Sequence, residues 1–178
     1  VLDDKDHVII PAMLWNDQRT IEEVDYLNEV IGIDQLMRFN GNIALTGLTA
    51  PKLLWMRKHE PELFDKICKI MLPKDYLVYR LSGVFASDVS DMSGTLFFNP
   101  KTKTYSHELL HILNITDRML PKVYESTDIV GILLPEIKEI LKLKHDISVV
   151  IGGGDQAVGA IGTGIVKNGT CNISLGTS

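Results

Sequence analysis

Ser148-Val149-Val150-Ile151-Gly152-Gly153-Gly154-Asp155-Gln156-Ala157 is the stretch that decides the fold. Its opening apolar run, β-branched and closed by glycine, reads as a continuous strand of the kind buried in a parallel or mixed sheet. The glycines and aspartate lead straight into a small-residue helix from Gln156 to about Ile161. Strand, glycine turn and helix in this order are an α/β pattern. They would hold the Asp155 carboxylate at the tip of a sheet, where such proteins bind ligands. A carboxylate there can take a proton from a hydroxyl nucleophile. The same residue can equally serve as a helix N-cap in a structural turn. Half of the glycines, 7 of 14, lie between Gly152 and Gly169, so backbone here packs close to another element or to a ligand. The stretch is neither a GxxxxGK[ST] phosphate loop nor a dinucleotide fingerprint.

Working outward, the texture changes near Asp146, and a domain boundary is placed there, giving units 1–146 and 147–178. Upstream, Asp3-Asp4-Lys5-Asp6 reads as a hairpin turn before Val8-Ile9-Ile10. Thr20-Ile21-Glu22-Glu23 spells a capping box, with Ile21, Val24, Leu27 and Ile31 at helical spacing and Gly32 suited to the C′ position. A second helix starts after Thr49 with Pro51 in its first turn. Ile67 to Leu72 reads as a short buried strand stopped by Pro73, and Asp75 to Leu81 as a helix closed by Gly83. Leu96-Phe97-Phe98, Asn99-Pro100-Lys101 and Tyr105 suggest a small hairpin. Helices follow around Ser106–Leu113 and Pro135–Leu143, and a last strand at Cys171. No internal repeat is visible.

The 178 residues are 45% hydrophobic and 23% charged, a globular composition that excludes bulk disorder. A formal charge of −5 argues against broad binding to nucleic acid or an anionic membrane. No apolar run reaches the roughly 20 residues of a membrane span, and no signal peptide is recognisable, so a cytoplasmic protein is expected. Cys68 and Cys171, far apart and without CxxC spacing, are expected to be reduced and buried. Both ends look cut: the chain opens without methionine and closes on a strand followed by the start of a glycine turn. A fragment of a larger protein is expected.

His107-Glu108-Leu109-Leu110-His111 fits H-E-x-x-H, which on a helix puts two histidines on one face for zinc, with Glu136 or Glu139 available downstream. Only three letters of that motif are fixed and the helix is short, so a surface helix is the reading adopted and no metal site is assigned. A zinc hydrolase on His107 and His111 is the competing class of function, and a non-catalytic binding module is a third.

Several stretches together resemble one family. Gly47-Leu48-Thr49-Ala50-Pro51-Lys52-Leu53-Leu54-Trp55-Met56-Arg57-Lys58-His59 is similar to the signature of the FGGY carbohydrate kinases, and Trp15-Asn16-Asp17-Gln18-Arg19 to their WxDxR segment. Leu72–Leu77, Ala86–Asp91 and Gly152–Ala157 resemble the matching stretches of members that act on xylulose. Ser174-Leu175-Gly176-Thr177-Ser178 looks like the family's second phosphate-contacting turn. The likeness runs through the whole chain in order.

The resemblance implies an actin/hexokinase-like (ribonuclease H-like) α/β fold, present in part: the latter part of the sugar-binding domain and the start of the nucleotide-binding one. It implies ATP with Mg2+, a small-molecule sugar as partner, and allows a homodimer of the whole enzyme. The reaction implied is phosphorylation of a ketopentose, D-xylulose to D-xylulose 5-phosphate; ribulose, glycerol and gluconate are the alternatives. The family's first phosphate turn and its adenine pocket have no counterpart in this sequence, so the fragment alone is expected to be inactive. Asp155 resembles the base that takes the sugar proton, and Gln156 the neighbour that hydrogen-bonds sugar. Trp15 looks like the indole on which the sugar packs, against the alternative of an ordinary core tryptophan. Asp17, with Arg19, touches sugar or holds the loop. Gly176 and Thr177 look like donors to ATP phosphates. Glycerol kinases carry tyrosine where Gly47 stands, so glycine is expected to leave room for a larger sugar.

Overall fold

A computed structural model of the chain describes residues 1–173. The chain opens in a tight turn in which Leu2 bridges Val8, and the Asp3 carboxylate accepts the amides of Lys5 and His7. Helix α1 (Ile21–Asp25) runs on through a π-helical stretch, Tyr26–Gly32, to α2 (Ile33–Phe39). Next come α3 (Thr49–His59), α4 (Pro61–Phe64) and α5 (Pro73–Ser82), the last closed by left-handed Gly83. Strand β1 (Ala86–Asp88) leads directly into α6 (Val89–Met92). The hairpin β2 (Phe98–Asn99) and β3 (Thr104–Tyr105) precedes α7 (His107–Leu113). Strand β4 (Lys122–Tyr124) pairs parallel with β1, with Ser87 opposite Val123. Strand β5 (Ile129–Ile132), α8 (Pro135–Ile140), β6 (Ser148–Val150) and α9 (Asp155–Gly162) complete the described elements.

Among the described residues two apolar clusters carry the packing. The larger gathers Leu53, Leu54 and Met56 of α3, Phe97, Phe98, and Leu109, Leu110 and Leu113 of α7. The smaller joins Val78 of α5 and Ala86 of β1 to Leu133, Val149 and Ile151. Proline in the first turn of α3, α5 and α8 costs no hydrogen bond, because the first amides of a helix have no internal partner. The hairpin at Phe98–Tyr105 and the helices after Thr49, around Ser106–Leu113 and from Pro135 form where the sequence placed them, whereas the helix expected over Asp75–Leu81 starts two residues earlier, at Pro73, which is its first residue.

Other expectations change. The capping box does not form: Thr20 is fully buried and its hydroxyl donates to the Thr46 carbonyl, 3.3 Å away. Glu23 turns inward instead, 3.8 Å from Lys58 and 3.9 Å from His59, so tertiary partners outcompete the local cap. Ile67–Leu72 makes only a single bridge, Lys69 to Leu2, although Ile67 and Ile70 are buried. β6 is not a strand buried on both faces. Among the described residues it pairs only with β5, antiparallel, so one side packs (Val149 8%, Ile151 1% exposed) and the other is open (Val150 47%). Cys171–Ile173 makes no strand pairing among the described residues, and the rest of that expected strand lies outside them. Both cysteines are exposed rather than buried.

Candidate active site

The turn after β6 is shaped by what it lies against. Ile151 is buried and anchors one end, and Gly152 then takes φ +76°, a left-handed geometry that favours glycine. A Cβ on Gly153 would stand 3.1 Å from Ser90 Oγ, and one on Gly154 would stand 3.3 Å from the Asp91 backbone. The glycine run therefore lets the backbone lie directly on α6. Gly154 is the N-cap of α9, and its amide donates to Ser90 Oγ at 2.9 Å. Asp155 is thus the first residue inside the helix and not its cap. Its side chain is exposed, and its Oδ1 accepts the amide of the equally exposed Gln156 at 2.7 Å.

Behind the turn sits a charge cluster that the sequence reading did not assign. The Lys74 ammonium lies 2.8 Å from Asp75, 3.1 Å from Asp88 and 3.9 Å from Asp91. Asp75 and Asp88 are fully buried. Burial would raise the Asp88 carboxyl, but hydroxyls of Ser126 and Ser90 and the Lys74 ammonium outweigh it and hold Asp88 below the usual range. Asp91 has weaker compensation. Burial pushes it up to about 6, helped by the negative charges of Asp75, Asp88 and Asp155 and opposed by Lys74. The signal was present as Lys74-Asp75 at one helix start and Asp88-x-x-Asp91 at another. Nothing in the order of residues says that the two helix starts meet.

A cleft of about 320 Å³ is lined by Met13, Trp15, Gly47, Lys52 and Pro73 among others. Trp15 is 66% exposed, which removes the core-tryptophan alternative. Lys52 ties the cleft together: its ammonium donates to the carbonyls of Gly47 (2.9 Å) and Met13 (3.2 Å). Gly47 does not simply leave space. A Cβ there would stand 2.9 Å from the Trp15 carbonyl oxygen, so glycine is what allows the two loops to touch. Asp17 lines an adjoining cleft, and Arg19 engages both of its oxygens at 2.8–3.0 Å. That pairing draws the Asp17 carboxyl below the usual range. Arg19 also stacks over the Trp55 ring at 4.9 Å, which makes the Asp17–Arg19 pair a brace for the loop that carries Trp15.

The structure thus brings Trp15, Gly47 and Lys52 to one cleft and Asp17 next to it. Asp155 and Gln156 stand apart at the head of α9. Pro73, which lines the cleft, immediately precedes Lys74, which holds the acid cluster under the α9 turn. Gly176 and Thr177 lie outside the described residues. His107 and His111 are exposed on the seven-residue α7, with His107 4.0 Å from Asp117. Among the described residues no group of three or more His, Cys, Asp or Glu side chains is arranged to hold a metal ion, and the place between Asp75 and Asp88 is taken by Lys74. Nor is any described helix long and apolar enough to cross a membrane.

Residues 1–162 match the FGGY family of carbohydrate kinases, N-terminal domain. The whole chain is 42% identical to a xylulose kinase of Escherichia coli (strain K12), of which it covers 36%. Among solved structures, a xyloylose kinase from Brucella ovis superposes with a TM-score of 0.88 at 36% identity, over 94% of this chain and 34% of that one. A ligand-bound xylulose kinase from Lactobacillus acidophilus follows at 0.87 and 27%, over 92% and 33%. The chain therefore spans about a third of the length of the relatives it matches. The α/β arrangement is that of part of the actin/hexokinase-like sugar kinase fold.

Proposed function

The chain belongs to the FGGY family of carbohydrate kinases, and from that premise we propose that the complete protein carrying it phosphorylates D-xylulose with ATP. The observation that carries this reading is the 42% identity to a xylulose kinase along all 178 residues. Phosphoryl transfer asks little covalent chemistry of a protein; it asks for positioning and electrostatics. The residues of this chain divide those tasks. The exposed Trp15 indole offers an apolar surface to the carbon face of the sugar, on a loop set by Lys52 and braced by Asp17 and Arg19. Gln156 hydrogen-bonds a sugar hydroxyl, and Asp155 accepts the proton of the hydroxyl that attacks the γ-phosphorus.

For the phosphates of ATP, Gly176 and Thr177 are the donors this reading assigns. Mg2+, which accompanies ATP in such kinases, neutralises phosphate charge when bound. No described side chain is given to it, because the buried carboxylates here are already engaged by Lys74. The domain boundary near residue 146 belongs to the same proposal. The test is a substrate panel on the complete protein: xylulose should be phosphorylated with a kcat/KM at least about tenfold above ribulose, glycerol and gluconate. Preference for any of these three would replace the substrate while keeping the family.

A further inference from the structure

We propose that Ser90 is a positioning residue for phosphoryl transfer: held by Asp88, it fixes the amide of Gly154 and thereby the place of the Asp155 carboxylate. This rests on the reading of Asp155 as the base. The geometry is directional. A serine hydroxyl has one hydrogen to give, and Ser90 donates it to Asp88 Oδ2 at 2.5 Å. Its lone pairs are then left for the Gly154 amide, which donates at 2.9 Å. Asp88 is itself immobilised. It is fully buried, caps α6 by accepting the Ser90 amide at 2.9 Å, accepts the Ser126 hydroxyl at 2.6 Å, and pairs with Lys74 at 3.1 Å.

Gly154 is the residue directly before Asp155 and the N-cap of α9, so its amide is the last point at which the turn can be pinned before the carboxylate. Its partner comes from 64 residues away in sequence. A local cap would move with the helix, whereas this bond references the head of α9 to the frame of β1 and α6. Glycines at 153 and 154 complete the arrangement, since a Cβ at either would meet Ser90 or Asp91 at 3.1–3.4 Å. A general base loses effect steeply when displaced, and a shift of about 1 Å can cost on the order of a hundredfold in rate.

The experiment is a double-mutant cycle in the complete protein, with kcat and KM for xylulose and ATP measured on Ser90→Ala, Asp155→Asn and the pair. Ser90→Ala should lower kcat by about ten- to a hundredfold with both KM values within about threefold. In the Asp155→Asn background the same change should cost less than about twofold, because no base remains to be placed. Ser90→Thr, which keeps the hydroxyl, should restore most of the rate. If the alanine variant does not fold, Ser90→Cys, near in size but a weak acceptor, is read the same way. A normal kcat in Ser90→Ala beside a crippled Asp155→Asn overturns the positioning role and leaves the base reading intact. A normal kcat in Asp155→Asn overturns both. Equal losses from Ser90→Ala with and without Asp155 also overturn it, since they signify damage unrelated to the base.

Discussion

Replacing Asp91 by asparagine should stabilise the protein in a pH-dependent way. Asp91 shares Lys74 with two fully buried carboxylates, at the longest of the three distances (3.9 Å), so one ammonium faces three acids. Burial raises Asp91 from 3.8 to about 6. A carboxyl raised in the folded state binds its proton more tightly there than in the unfolded chain. Its favourable contribution is complete below the unfolded value and is lost as pH rises through the folded one. Two units at about 1.4 kcal/mol each make about 3 kcal/mol in full. The side chain is still 29% exposed, and solvent screening trims this to about 2 kcal/mol. Asparagine resembles the protonated acid and carries no such term. The variant should therefore exceed the parent by about 2 kcal/mol at pH 8, or roughly 4–8 °C in melting temperature for a domain of this size. The gap should shrink below half of that near pH 4.5. Melting curves of both proteins across this range are the assay. A gap of the same size at both ends, or a less stable variant at pH 8, refutes the argument.

Gly47→Ala brings a Cβ within 2.9 Å of the Trp15 carbonyl oxygen, so the Trp15 loop must shift. The expected result is a loss of about 1–3 kcal/mol in stability and a several-fold rise in KM for the sugar with KM for ATP unchanged, read by kinetics on the complete protein. Phe98→Ala empties a fully buried site in the larger apolar cluster, edge-on to the Tyr105 ring, and should cost about 3–5 kcal/mol in a denaturant titration.

What was legible in the sequence follows from range. The helices after Thr49, around Asp75–Leu81 and Ser106–Leu113 and from Pro135, and the hairpin through Asn99, are set by proline, capping and turn residues within a few positions, so local chemistry identifies them, though Pro73 opens its helix instead of only ending the segment before it. Thr20-x-x-Glu23 has the same local signature, yet Thr46 and the pair Lys58 and His59 claim its side chains from across the fold. The apolar run at Ser148–Val150 reads as a strand buried in a sheet, but such a run does not say how many partners it will find; among the described residues it has one. The site divides in the same way. Asp155 stands out as a carboxylate closing a strand and a glycine turn, and Trp15 only through the resemblance of Trp15–Arg19 to the family's WxDxR segment. The Lys74–Asp88–Ser90 arrangement does not, because it exists only once α5, β1, α6 and the Gly152–Gly154 turn converge.

The central claim is that Asp155 takes the proton of the attacking hydroxyl. A sugar hydroxyl is a poor nucleophile until that proton has somewhere to go, and a positioned base contributes about 10²–10⁴-fold. Asp155→Asn keeps the size and the hydrogen bonding and removes the basic lone pair and the charge. Measured in the complete protein, kcat for xylulose should fall by about that factor while both KM values stay within a few-fold, a loss confined to the transition state. A near-normal kcat together with about 1 kcal/mol of lost stability, the signature of a residue that merely supports the start of α9, would contradict the account.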